Sequence, residues 1–138
     1  LLNGGKLAGI LLESAGTSYL AIGIGVNLAE APPPSAVEAG AVRPVSLLSE
    51  TGTAIAPEDF LPHLATAYAL RERQFTTYGF DPVRTAWLAQ AARLGETITA
   101  KTGAQVTTGR FETVDAQGNL VLTTPGGRVA IPAAEVYF

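Results

Sequence analysis

Apolar and polar residues follow two different rhythms along this chain. Residues 7–12 and 19–28 are apolar runs separated by Ser14, Ala15, Gly16, Thr17 and Ser18, which is turn chemistry at hairpin spacing. An antiparallel strand pair is expected there. Ala31, Pro32, Pro33, Pro34 and Ser35 then interrupt regular structure, because three prolines remove three backbone donors and hold the chain extended. Residues 44–50 suit a short helix ending at Gly52, and Ala56, Pro57, Glu58 and Asp59 open a longer one with proline and acids in its first turn. On this second helix Leu61, Leu64, Tyr68 and Phe75 fall near one face, while Arg71, Glu72 and Arg73 can point to water. Asp81 and Pro82 announce a third helix, with Asp81 as N-cap, Val83, Trp87 and Leu94 as its apolar stripe, and an end near Gly95.

From Glu96 onward the pattern changes to short alternating strands at residues 97–101, 105–114, 120–124, 129–131 and 135–138. Each separator (Thr102 and Gly103; Gln117, Gly118 and Asn119; Pro125, Gly126 and Gly127; Pro132 and Ala133) holds a glycine or proline where a tight turn needs one. Five short strands in so few residues suggest a small barrel. The order of strand pair, helices and strand cluster predicts an α+β chain divided into domains 1–94 and 95–138.

Composition narrows the function classes. A chain of 138 residues with 47% hydrophobic content can bury a core, and no apolar run approaches the roughly 18 residues of a membrane span, so a soluble protein is expected. The net charge is −3 and the nine Lys and Arg residues are scattered, which argues against a nucleic-acid partner. With no cysteine and one histidine, His63, disulfides, thiolate metal sites, cysteine nucleophiles and His-rich metal sites are excluded, and a reducing cytoplasm is permitted. No methionine is present and the chain opens on Leu1 without a signal-peptide pattern, so a fragment or processed product is expected.

Two places could carry chemistry. Read as a strand, residues 22–28 put Ile22, Ile24, Val26 and Leu28 on one face and Gly23, Gly25 and Asn27 on the other. That second face is a bare backbone strip ending in an amide, which a flat ligand could approach closely while Asn27 offers a donor and an acceptor. Alternatively, the glycines make room for a packed helix or a bulge and Asn27 caps the strand end. With its third glycine missing and no helix following, the strip is not a Rossmann fingerprint. Lys6, after Gly4 and Gly5, is either a mobile cation for a carboxylate or phosphate or a solvated edge lysine. Glu13, His63, Arg43, Arg71 and Arg73 read as surface groups, and Trp87 as a core residue.

Taken together, KLAGILLE at residues 6–13 followed by IGIGVNL at residues 22–28 resembles the paired core motifs of biotin protein ligases, in spacing and in order. The resemblance extends through the helices to the strand cluster and so covers essentially the whole chain. It implies the later part of a catalytic domain with a mixed sheet and packed helices, of the class II aminoacyl-tRNA synthetase-like kind, followed by a Src-homology-3-like barrel. It also implies a two-step reaction: biotin and ATP give biotinyl-adenylate and pyrophosphate, and biotin then passes to a lysine of the biotin carboxyl carrier protein of acetyl-CoA carboxylase.

By the family pattern Lys6 would bridge the biotin carboxylate and the α-phosphate. Gly9 and Leu11 would border the biotin, Gly23 would give its rings close backbone access, Asn27 would hydrogen-bond the adenine, and Mg2+ would accompany the ATP. No protein metal ligands are implied, and a homodimer is compatible with the resemblance. Strict alternation would set Lys6 on the face opposite Gly9 and Leu11, so either Lys6 precedes the regular strand or a bulge intervenes. The family's Gly- and Arg-rich loop and Trp-Pro-Asn-Asp segment are expected upstream of Leu1, and this stretch alone is expected to be inactive. The competing readings are a lipoate ligase-like acyl-adenylate enzyme and a non-catalytic binding module.

Overall fold

The computed structural model describes residues 1–16, 19–38, 40–103, 105–132 and 135–137. It consists of two compact units, Leu1–His63 and Leu64–Phe138, whose division falls inside the longest helix.

In the first unit, strands β1 (Ala8–Ala15) and β2 (Tyr19–Val26) pair antiparallel, with Gly9 opposite Gly25, Leu11 opposite Gly23 and Leu12 opposite Ile22. Because facing residues share a side of the sheet, the odd-numbered positions of both strands form one face and the even-numbered positions the other. The expected hairpin is therefore present; of its turn residues, Thr17 and Ser18 lie outside the described residues. After β2 the chain makes a short 3-10 turn at Pro34–Ala36 and reaches α1 (Leu47–Thr51). This helix starts later than the expected residue 44, because Ser46 is extended (φ −112°) and caps it: its hydroxyl accepts from the Ser49 N–H at 3.1 Å, and the Ser49 hydroxyl accepts from the Ser46 N–H at 3.1 Å. Gly52, at φ 72°, ends the helix as expected. Val45 and Ser46 are deeply buried in this unit, at 1% and 2% exposure.

Helix α2 (Pro57–Tyr78) begins at the expected proline. Of its expected apolar stripe, Leu61, Tyr68 and Phe75 are exposed and Leu64 is half-buried. Helix α3 (Asp81–Leu88) corrects two expectations. Asp81 is the first helical residue and not the N-cap, a position held by Phe80, and the helix stops at Leu88, so Leu94 does not belong to its stripe. The cause is local: beyond Leu88 the bonds tighten to the i−3 type at Gln90 and Ala91, and Arg93 and Gly95 then adopt positive φ.

The five expected strands all form, as β3 (Thr97–Thr102), β4 (Gln105–Val114), β5 (Leu120–Thr124), β6 (Gly127–Ile131) and β7 (Glu135–Tyr137). They make one antiparallel sheet in the order β6-β5-β4-β3-β7. Ile98, Ala100, Phe111, Leu122 and Ile131 are its buried core. Arg84 ties α3 to the sheet by donating to the Val114 carbonyl at 3.0 Å. Trp87 is not the buried core residue expected: it is 52% exposed and leans on Phe111 with ring centroids 6.2 Å apart.

Candidate functional site

The β1–β2 register assembles the expected site residues. Gly9 and Leu11 stand directly across from Gly25 and Gly23, so all four lie on the odd-numbered face, and Asn27 follows one step beyond β2. A Cβ built on Gly9 or Gly25 would meet nothing within 4 Å, and one on Gly23 would only graze Leu11 at 3.6 Å. Within the described residues nothing packs against Gly9 or Gly25, which leave an open backbone surface.

Lys6 lies ahead of β1, the first of the two arrangements expected. It forms an isolated parallel bridge with Pro44: the Lys6 N–H donates to the Arg43 carbonyl at 2.8 Å, and its carbonyl accepts from the Val45 N–H at 3.1 Å. Its backbone is fixed while its side chain is exposed. Asn27 sits beside it: Nδ2 donates to the Lys6 carbonyl at 3.3 Å and to the Val45 carbonyl at 3.0 Å. Lys6 and Asn27 are therefore neighbours across the end of the hairpin.

Sequence reasoning missed the scaffold under Lys6. Gly5 is buried, and a Cβ there would lie 2.2 Å from Val45 Cγ1, so only glycine lets the 43–46 segment close against it. Asn3 at φ 49° and Gly4 at φ 79° form the preceding tight turn, closed by paired bonds between Leu2 and Gly5 at 2.9 and 2.8 Å. Glu50 on α1 accepts from Asn3 at 3.1 Å and from Arg43 at 3.0 Å, bracing both sides of the bridge. Asn3 followed by Gly4 is a hairpin-turn signal and could have been found; the Val45 and Glu50 partners, some forty residues away, could not.

His63 is exposed on α2, and Arg71 bonds Gln74 along the helix surface at 2.9 Å. An apolar cleft lined by Phe80, Val83, Arg84, Trp87, Val114 and Gly118 has one charged group, Arg84, which is committed to Asp81 at 3.1 Å and to the Val114 carbonyl. Glu112 sits at a β-bulge in β4; the bond from the Thr123 hydroxyl is the largest influence and lowers its carboxyl from the ordinary value, burial opposes this, and Arg128 adds to the lowering. Asp115 is likewise lowered, chiefly by its bond from Asn119, which closes the β4–β5 turn. Among the described residues no group of three or more His, Cys, Asp or Glu side chains could hold a metal, and no helix is long and apolar enough to cross a membrane.

Along its whole length this chain is similar to biotin protein ligases. Residues 94–138 match the biotin protein ligase C terminal domain. The whole chain is 58% identical to the biotin--[acetyl-CoA-carboxylase] ligase of Paracoccus denitrificans and covers 59% of that protein. It is 29% identical, over 99% of its length, to the bifunctional ligase/repressor BirA of Bacillus subtilis, of which it covers 43%. The chain therefore spans less than two thirds of the length of the curated relatives it matches.

Among solved structures, the apo biotin protein ligase of Aquifex aeolicus superimposes with a TM-score of 0.84 at 20% identity, over 98% of this chain and 60% of that one. The same ligase in complex with biotin and ATP gives 0.81 at 21% identity, over 96% and 55%. At that identity the match defines the fold, a mixed α+β architecture.

Proposed function

We propose that this chain contributes to the active site of a biotin protein ligase, which joins biotin to ATP as biotinyl-adenylate, releases pyrophosphate, and transfers the biotin to a lysine of a carboxyl carrier protein. The observation that carries this reading is the register that puts Gly9, Leu11 and Gly23 on one open face with Lys6 and Asn27 together at its end. The 58% identity to a named ligase across the full chain supports it independently.

Adenylation brings a carboxylate and a phosphate, both anionic, into contact. A cation fixed at its base and free at its tip offsets their repulsion and the charge that builds on the phosphorus, which favours the transition state over the separated substrates. Lys6 has that form, with a pinned backbone and an exposed ammonium. Gly9, Leu11 and Gly23 would bed the biotin rings against bare main chain. Both amide hydrogens of Asn27 face carbonyls of its own chain, so Oδ1 is the atom left to accept from the adenine amino group. Mg2+ would arrive with the ATP phosphates.

The same reading takes residues 1–94 as the later part of a catalytic domain with a class II synthetase-like sheet and 95–138 as a Src-homology-3-like barrel, in keeping with the family match at 94–138. It also places the protein in the cytoplasm, as a monomer or homodimer that docks the carrier protein of acetyl-CoA carboxylase.

The test is exchange of labelled pyrophosphate into ATP by the complete protein. Exchange should depend on biotin and not on lipoate, and Lys6→Ala should lower it by about 10² to 10³-fold without altering the unfolding transition. Exchange supported by lipoate alone would reassign the substrate; near-normal exchange by Lys6→Ala would remove Lys6 from the chemistry.

A further inference from the structure

Lys6 precedes β1 and has no regular element of its own to hold it. Three groups fix its backbone: the Arg43 carbonyl on one side, and the Val45 N–H and the Asn27 side chain on the other. Asn27 does more than any other residue here. Its Nδ2 reaches the carbonyls of Lys6 and Val45, its N–H donates to the Leu7 carbonyl at 2.9 Å, and its carbonyl accepts from the Leu47 N–H at 2.8 Å. A primary amide has two N–H bonds in one plane, and both are engaged, so the orientation of the whole group is set. Among the described residues Oδ1, on the opposite edge, has no partner.

We propose that Asn27 is a positioning residue for Lys6: its two amide donors clamp the Lys6 and Val45 carbonyls and fix where the lysine stem begins, while its Oδ1 is left to face the nucleotide. The inference rests on the ligase reading of this site and deepens it. One planar amide then links the adenine contact to the carboxylate-binding cation. Loss of the clamp loosens Lys6 even when no nucleotide is present, and nucleotide held on Oδ1 stiffens the clamp, so the two substrates help each other to bind. A residue that only touched adenine would have no influence on biotin in the absence of ATP.

The experiment measures biotin affinity of the complete protein by calorimetry without ATP, for the unmodified protein, Asn27→Asp, Lys6→Ala and the double variant. Asn27→Asp keeps the side chain's size and an acceptor oxygen but removes both donors and sets a carboxylate against two carbonyls. Biotin affinity should fall roughly tenfold. The double variant should bind no more weakly than Lys6→Ala alone, because the effect of Asn27 runs through Lys6.

Unchanged biotin affinity in Asn27→Asp, with only ATP binding weakened, would overturn the proposal, as would losses that simply add. Should Asn27→Asp fail to fold, Gly5→Ala disturbs the same clamp from its far side by pushing Val45; it should weaken biotin binding, and Gly5→Ala with Val45→Ala should restore it. Absence of that loss and recovery overturns the proposal too. If the unmodified complete protein binds no biotin at all, the ligase reading falls and takes this inference with it, an outcome distinct from normal binding with unresponsive variants.

Discussion

Gly5 and Val45 compete for the same few cubic ångströms beside Lys6. A methyl group at Gly5 would come within 2.2 Å of one Val45 methyl and 2.9 Å of the other, and Val45 is 1% exposed and so has nowhere to retreat. Overpacking of this kind costs about 1–3 kcal/mol, and Gly5→Ala should lower the midpoint of thermal unfolding of the complete protein accordingly. The opposite error is available in the sheet: Leu122 is fully buried among Ile98, Phe111 and Ile131, and Leu122→Ala should cost about 2–5 kcal/mol, read from urea unfolding at constant slope. Lys6 contrasts with both. Its side chain is exposed and only its backbone is held, so its removal should be nearly silent in the same melt while chemistry is lost.

Among the elements, α1 shows how little holds a five-residue helix in place. Its reciprocal Ser46 and Ser49 bonds satisfy donors that no helical turn can reach, and Ser46 is 2% exposed, so water cannot substitute. Ser46→Ala should therefore cost about 0.5–2 kcal/mol, and because α1 carries Glu50, it should also free Arg43 and Asn3 in an NMR or hydrogen-exchange measurement. The β4 bulge makes a different prediction. Glu112 is held below its ordinary pKa in the fold, so its contribution to stability is complete above the unfolded value and is lost as the pH falls through the lower folded value. Glu112→Gln should flatten the acid side of the stability profile and leave its neutral and alkaline side parallel to that of the unmodified protein.

The same elements mark what the sequence could reveal. Strands β3 to β6 were legible because glycine and proline punctuate a period-two pattern, and the placing of Gly23 and Gly25 on one face of β2 was legible because alternation alone dictates it. The end of α3 was not, since Leu94 satisfies helical spacing while the positive φ of Arg93 and Gly95 arises as the chain turns into β3, where the Gly95 N–H donates to the Phe111 carbonyl at 2.8 Å. The exposure of Trp87 was equally out of reach, because periodicity gives a side but not what covers it.

At the scale of the whole molecule, the unevenness of burial is the dominant fact. The sheet of the second unit encloses a core, whereas the hairpin of the first leaves Ile10, Leu12, Leu20 and Ile22 exposed by 68%, 58%, 56% and 39% on its even-numbered face. Two strands paired only with each other are marginal in water, and their stability has to come from apolar packing on at least one face. This stretch of 138 residues spans 59% of a ligase to which it is 58% identical, so a complete polypeptide of that kind has chain available to cover the hairpin. Native-state hydrogen exchange makes the distinction measurable. With these 138 residues alone, amides of β1 and β2 should exchange by local opening while those of β4 and β5 exchange only with unfolding of the sheet. In the complete polypeptide the hairpin amides should slow by orders of magnitude and the sheet amides should hardly change. Equal protection of the hairpin in both would mean that these two strands are stable without further cover, and that the open glycine face needs no other part of the protein to keep its shape.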